Sequence, residues 1–319
     1  MLQSKWMETI SVSRLQHELE ELLHEHRPDG QEGQVAEYIP ALKQANPTHL
    51  AASICLLAGE QVQAGDVDIR FTMQSMSKVI TLAMALMDCG EACVFEKVGM
   101  EPTGDPFNSI MKLEIMRPNK PLNPMINAGA IAVTSLLHGS GTEEKVERIL
   151  SFVRRLARNP AIGFNEDVYR SEQETADLNR ALAYFMKQYE VIEGDVEDVL
   201  DVYFKQCAIE VNCWDVARIG AVFANRGRDP ETGEVIMPEH VAKICKTFMV
   251  TCGMYNASGE FAIRVGIPAK SGVSGGIMGV VPHCMGIGIY SPALDEKGNS
   301  VAGVRLLQSL SARWGLSIF

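Results

Sequence analysis

The spacing of apolar and polar positions divides the chain into helical and extended stretches. From Ser13 to His26, Leu15, Leu19, Leu22 and Leu23 fall on one stripe with glutamates opposite, and Arg27-Pro28-Asp29-Gly30 ends the pattern. That is the three-to-four spacing of an amphipathic helix. Ala51 to Leu57 is a continuous apolar run closed by Ala58-Gly59-Glu60, which predicts a strand. Gln61-Val62-Gln63 answers it as a hairpin, and Val67 to Phe71 predicts another strand after Gly65-Asp66. Leu, Met and Ala then dominate Met76 to Met87, a helix. Thr142 is placed as the cap of a strongly amphipathic helix with Val146, Ile149, Leu150, Val153 and Leu156 inward, stopped at Asn159-Pro160. Glu172 to Lys187, Asp195 to Cys207 and Trp214 to Asn225 predict three more helices. Extended character returns in Phe261 to Val265, Ile277 to Val281 and Met285 to Tyr290. Gly298-Asn299 turns the chain into Val301 to Arg305, also read as a strand, and Leu306 to Leu316 predicts a closing helix.

Strands at both ends with helices between them predict one sheet built from both termini and a helical insertion packed against it. The expected division is an N-terminal helical extension over 1–26, a discontinuous sheet-plus-helix domain over 27–72 and 241–319, and a helical domain over 73–240. A cleft between two such layers is a usual place for a substrate. No internal repeat or low-complexity tract interrupts the pattern.

Composition narrows the function classes. The 319 residues carry 46% hydrophobic and 22% charged side chains, as globular proteins do. With 29 Lys+Arg against 40 Asp+Glu, the net charge of −11 disfavours nonspecific contact with nucleic acid or an anionic membrane, which both need excess cations. Met1-Leu2-Gln3-Ser4-Lys5-Trp6 leads into a charged helix and not an apolar signal segment. Val79 to Met87 is too short to span a bilayer, and Gly275 to Tyr290 is broken by Pro282 and His283. A cytoplasmic protein with no membrane partner is expected. The eight cysteines lie mostly in apolar runs and read as buried thiols, not a disulfide framework. Cys89 and Cys93 are the one close pair, with no second pair to complete a metal site, and His24 and His26 point to different sides of their helix. No metal is expected.

Candidate chemistry begins at Gln74-Ser75-Met76-Ser77-Lys78, an S-x-x-K at a predicted strand-to-helix junction. Three residues apart on a helix, Ser75 and Lys78 share a face. The lysine can take the serine proton only when neutral, which burial and a second nearby cation promote. A serine at a helix N-terminus also has a main-chain N–H where an oxyanion would form. Alone, the pattern fits an N-cap serine and a surface lysine better, since about one S-x-x-K is expected by chance in a chain this long. Pro268-Ala269-Lys270-Ser271-Gly272-Val273 then supplies a Lys-Ser-Gly in the C-terminal strand region, and S-x-x-K paired with K-T-G marks penicillin-binding proteins and class A β-lactamases. Lys270 is expected to be the cation that depresses the pKa of Lys78. The middle S-D-N motif of those enzymes is missing, and no glutamate stands out as a deacylation base. Tyr255 is the preferred phenol to relay a proton near Ser75, and Tyr38 the second candidate.

Further segments identify a family. Glu37-Tyr38-Ile39-Pro40, Gln74 to Lys78, Asn123-Pro124-Met125-Ile126-Asn127-Ala128-Gly129-Ala130, Ser171-Glu172 through Asp177-Leu178-Asn179-Arg180, Leu200-Asp201-Val202-Tyr203, Cys252-Gly253-Met254-Tyr255 and Pro268 to Val273 follow one another over about 37 to 300. In this order they resemble the glutaminase family. The resemblance implies an α/β, β-lactamase/transpeptidase-like fold: a mainly antiparallel sheet flanked by helices, with a mostly helical inserted domain. It implies hydrolysis of L-glutamine, with Ser75 as nucleophile and Lys78 as its base, and no metal or organic cofactor. Ser75, Asn127, Glu172, Asn179, Tyr203, Tyr255 and Val273 match the family's substrate contacts. Glu172 suits the substrate ammonium, and Asn127, Asn179 and Tyr203 suit its carboxylate. On the predicted helix, Glu172 and Asn179 lie two turns apart on one face. Val273 would complete the oxyanion hole with its N–H. Self-association into dimers or tetramers is implied too. A β-lactamase-like acyl-transfer enzyme and a non-catalytic amino-acid sensor are the rival readings. The missing S-D-N disfavours the first, and intact Ser75 and Lys78 disfavour the second.

Overall fold

The structure, a computed structural model, describes residues 11–104, 109 and 119–319. The expectation for Met1 to Trp6 lies outside the described residues.

Helix α1 (Val12–His26) buries Leu15, Leu19, Leu22 and Leu23 as its stripe requires, and the Ser11 hydroxyl caps it. Strands β1 (Ala51–Leu56) and β2 (Gln61–Gly65) form the predicted hairpin. The extended stretch at Val67 to Phe71 is shorter than expected. Only β3 (Phe71–Thr72) forms, because Asp66 and Gly65 accept turn hydrogen bonds that hold 66–69 in a bend. A single 3₁₀ turn over Gln74–Met76 leads into helix α2 (Ser77–Lys97).

The helical middle continues with α3 (Asn127–Ser135), α4 (Thr142–Ala157), α5 (Glu166–Glu174), α6 (Asp177–Gln188) and α7 (Val196–Cys207). In α4, Thr142 is the first helical residue and not the cap. The single helix predicted from Glu172 to Lys187 is two. The chain leaves helical geometry at Thr175 and Ala176, and Asp177 starts a new helix. The Asp195 carboxylate caps α7, accepting from the N–H groups of Glu197 and Asp198. After β4 (Glu210–Val211) comes α8 (Cys213–Ala224), whose Asn212 and Asp215 side chains cap each other's backbone. Helix α9 (Glu239–Cys252) follows.

Two predicted strands are helices. Phe261 to Val265 lies in α10 (Ser258–Arg264) and its C-cap. Phe261 and Val265 are buried and four apart, while Ile263 is 88% exposed, and so short a run fits either period. After β5 (Ala269–Ser271), β6 (Gly276–Val281) and β7 (Met285–Tyr290), the stretch Val301 to Arg305 is the first turn of α11 (Val301–Trp314). The Ser300 hydroxyl accepts from the Gly303 N–H and starts that helix five residues before the predicted point.

One five-stranded sheet runs β2-β1-β7-β6-β5, antiparallel at every pairing, so both ends of the chain build it as expected. β3 and β4 make a separate two-stranded sheet. Leu19, Leu306, Leu307 and Leu310 join α1 and α11 in an apolar layer with Ile54, Ile277 and Ile287 of the sheet. Burying one such leucine stabilises by about 1.5–3 kcal/mol. The opposite face meets α8, and beyond it the helical layer. Helix α8 comes so close to β7 that a Cβ at Gly286 would stand 2.0 Å from the Ala217 carbonyl oxygen, so only glycine fits there. Among the described residues, no helix is long and apolar enough to cross a membrane. All eight cysteines are thiols, six of them buried.

Candidate active site

The approach to Ser75 is set by strain and then by a helix start. Gln74 has φ +46, in the left-handed region that side chains rarely occupy. This turns the chain sharply out of β3, so that Ser75 sits buried at the mouth of α2. Non-glycine residues held this way gather at functional sites. Lys78 lies one turn on and is 1% exposed. Its Nζ donates to Asn127 Oδ1 at 2.6 Å and to the Met125 carbonyl at 3.3 Å. Burial pulls Lys78 down to about 8, while neighbouring Cys207 and Glu172 act in the other direction.

The sheet contributes the opposite wall. Tyr255 also has a left-handed backbone, at φ +52. Its hydroxyl donates to the Ser271 carbonyl at 3.1 Å and is hydrogen-bonded to Ser75. Lys270, on β5, is fully buried, donates to the Ser271 carbonyl at 2.7 Å and lies 4.4 Å from the centre of the Tyr255 ring. Ser75, Lys78, Tyr255 and Lys270 therefore come together, as the motifs predict. Burial is the first cause that lowers both lysines, with the charge of Lys78 added at Lys270, while Cys207 draws both upward, joined by Glu172 at Lys78 and by Cys252 at Lys270.

A cavity of about 90 Å³ opens beside Ser75. Tyr38, Asn127, Glu172, Asn179 and Tyr203 line it together with Ser75. Glu172, in the last turn of α5, is 8% exposed, and its Oε2 has no hydrogen-bond partner. Burial raises its carboxyl to about 8, against the pull of Lys78, Gln74 and Cys207. A buried carboxyl oxygen in that condition lacks a polar partner. Asn179 reaches the same cavity from α6, across the break at Thr175 and Ala176, and not from two turns along one helix. Its Oδ1 accepts from Asn127 Nδ2 at 3.0 Å, so the Asn127 amide bridges Lys78 and Asn179. Tyr203 is buried on α7, and burial pushes its phenol well above the usual range. Tyr38 is 56% exposed overall, but its hydroxyl points inward among Tyr255 and Glu172 and is held well above the usual range by desolvation.

Val273 and Tyr255 line a second, wider groove of about 900 Å³, which shares Tyr38 with the cavity. The phenols of Tyr38 and Tyr255 thus stand between an inner chamber and an outer groove. Gln74 and Cys207 also line the chamber, and sequence reasoning assigned them no role. For Cys207 a signal existed, since it lies four residues after Tyr203 on one helix and shares its face. For Gln74 none did, because its backbone strain is invisible in its identity. Among the described residues, no group of three or more His, Cys, Asp or Glu could hold a metal.

The sequence matches the family model for glutaminase over residues 33–319. Glutaminase 1 of Halalkalibacterium halodurans is 62% identical over 94% of this chain and 98% of that protein. The glutaminase of Geobacillus thermodenitrificans is 60% identical over 95% of this chain and 98% of that one. Among solved structures, a probable glutaminase from Bacillus subtilis superposes with a TM-score of 0.90 at 45% identity, covering 95% of this chain and 97% of that one. Bacillus subtilis glutaminase YbgJ in covalent complex with 5-oxo-L-norleucine, formed by reaction with 6-diazo-5-oxo-L-norleucine, gives 0.86 at 43% identity, covering 95% and 99%. A family match across almost the whole chain, with relatives at about sixty per cent identity, is decisive: this chain belongs to the glutaminase family.

Proposed function

We propose that this chain hydrolyses L-glutamine to L-glutamate and ammonia through a γ-glutamyl ester on Ser75. One observation carries the mechanism: Ser75 is hydrogen-bonded to Tyr255 one helical turn from a buried lysine that burial has brought to about 8. Such a lysine is partly neutral at physiological pH and can act as a base without a metal.

In this mechanism neutral Lys78 takes the Ser75 proton as the serine oxygen attacks the side-chain amide carbon. The N–H groups of Ser75 and Val273 receive the oxyanion. Collapse expels ammonia, protonated by Tyr255 or by Lys78, with Tyr38 as the second relay candidate. Water then cleaves the ester, activated by the same base. Glu172 receives the α-ammonium, which gives its unpartnered oxygen a donor. Asn179, Tyr203 and Asn127 receive the α-carboxylate. Lys270 packs its Nζ over the Tyr255 ring and holds it in place. A covalent step fits the relative that reacts with 6-diazo-5-oxo-L-norleucine.

Ammonia release from glutamine and asparagine, measured for the native protein and Ser75→Ala, tests the proposal. Turnover of glutamine that falls by about 10³ or more in the variant is expected. Undiminished turnover in Ser75→Ala would sink it. Homo-oligomerisation to a dimer or tetramer and a cytoplasmic location belong to the same proposal, and eight cysteines held as thiols suit a reducing compartment. Light scattering and cell fractionation check these two points.

A further inference from the structure

The cysteines are not alike. Six are buried, and the two partly exposed ones, Cys89 and Cys93, stand four apart on α2. Between them the helix is broken: Gly90 has φ 80 and ψ 171, far from helical values. Among the described residues, no neighbouring segment lies within 4 Å of where a Gly90 Cβ would stand, so the space at the break is open. The break is a backbone conformation that glycine permits and that the space around it leaves free to change. In an unbroken helix, side chains four apart have Cβ atoms about 5–6 Å from each other, too far for a disulfide, which needs about 3.5–4.5 Å. A helix jointed between the two thiols removes that obstacle.

We propose that Cys89 and Cys93 are a dithiol modification site, oxidised to an intrahelical disulfide by small-molecule disulfides of the glutathione type. The Cys93 thiolate attacks one sulfur of the small disulfide, giving a mixed disulfide and releasing one small thiolate. Cys89, as thiolate, attacks the Cys93 sulfur, closing the 89–93 bond and releasing the second. The two cysteine protons go to the two small thiolates. Two electrons leave the protein, and the small disulfide becomes two thiols. Burial, the hydrogen bond with Cys93 and nearby Asp88 raise the Cys89 thiol, and that hydrogen bond puts the two sulfurs beside each other.

The site is wired to Lys78 from both sides. The first half of α2 carries Lys78 itself. The second half is gripped by Lys120 Nζ at the Phe95 carbonyl (2.9 Å), and the Gly99 and Glu101 N–H groups donate to the Pro121 and Leu122 carbonyls. Asn123 donates to the Glu101 carbonyl and accepts from the Met125 N–H, and the Met125 carbonyl accepts from Lys78. Closing the joint at Gly90 therefore shifts one half of this loop against the other, and disulfide formation slows glutamine turnover.

The test incubates the full-length protein with oxidised glutathione, maps disulfides by non-reducing peptide mass spectrometry, and assays glutamine turnover in the same samples before and after dithiothreitol. Expected is an 89–93 linked peptide short of two hydrogens and turnover lower by about tenfold or more, a 1 Å misplacement of a catalytic group costing up to about 10²-fold. Dithiothreitol restores both. Cys89→Ser traps the mixed disulfide on Cys93, and Cys93→Ser forms no 89–93 link and keeps its turnover. Absence of the 89–93 link in the native protein overturns the site, and a link formed with turnover unchanged overturns its coupling to Lys78. Turnover by the reduced protein is the separate control for the proposed activity, so failure of one does not pass for failure of the other.

Discussion

The Asn127 side-chain oxygen accepts a 2.6 Å hydrogen bond from Lys78, and the same amide donates at 3.0 Å to Asn179. One neutral side chain therefore ties Lys78, the proposed base, to the wall of the chamber. Because the amide carries no charge, it orients Lys78 without fixing its proton.

That neutrality can be tested. In Asn127→Asp a carboxylate replaces the amide oxygen, favours the charged lysine, and raises the Lys78 pKa. With neutral Lys78 as the proposed base, kcat is expected to rise with pH through about 8 in the native protein. The acidic limb should move upward by about one unit or more in the variant, with kcat at neutral pH falling correspondingly. A kcat–pH profile reads this directly. An unmoved limb would remove Lys78 from the role of base.

Glu172 should act mainly on binding. Glu172→Gln keeps the shape but loses the partner of the substrate ammonium, so KM for glutamine should rise by about 10- to 100-fold, the worth of a hydrogen bond to a charged group. The same change removes a group that holds Lys78 up. The acidic limb of kcat should therefore move downward, opposite to Asn127→Asp. Steady-state kinetics across pH separates the two effects.

The two phenols should differ. Tyr255 is hydrogen-bonded to Ser75, whereas Tyr38 shows only electrostatic proximity to Tyr255 and Glu172. Tyr255→Phe should lower kcat by about 10²-fold or more, within the range for a positioned proton donor, and Tyr38→Phe by less. Equal losses, read from kcat, would mean that the relay is shared.

Away from the chamber, Arg218 and Asp229 are both about 3% exposed and pair at 3.0 Å, with Glu231 as a second partner of the guanidinium. Asp229→Ala leaves Arg218 buried without that partner and should cost about 3–5 kcal/mol, read by urea denaturation. Burial opposes ionisation of Asp229, but the N–H groups of Thr232 and Glu231 and the Arg218 charge outweigh it and hold the carboxyl below its usual range. Its stabilising contribution is therefore complete above the unfolded carboxylate pKa of about 3.9 and is lost as pH falls through the lower folded value.

The elements with strong periodicity were readable from the chain: α1, α4, α7 and α8, and the two-ended sheet. Short apolar runs were not, and Phe261 to Val265 went to a helix because five residues satisfy period two and period four equally. The break at Thr175 and Ala176 carries no proline or glycine, so nothing in the residues announced that Glu172 and Asn179 come from different helices. Among site residues, Ser75, Lys78, Lys270 and Tyr255 converge as their motifs require, because strand and helix ends fix them. The surroundings of Lys78 were not legible, since Asn127, Glu172 and Cys207 reach it only through folding. The left-handed Gln74 and Tyr255 were also hidden, because neither residue type advertises that backbone.

Strand β7 lies between β1 and β6, so Leu56 is paired with Met285. Ser75 and Lys78 precede Tyr255, Lys270 and strands β5 to β7 by more than half of the sequence, so the two walls of the site meet only when distant segments pair. Long-range closure of this sort is slow, because the loop between the partners must be ordered before their contact stabilises it.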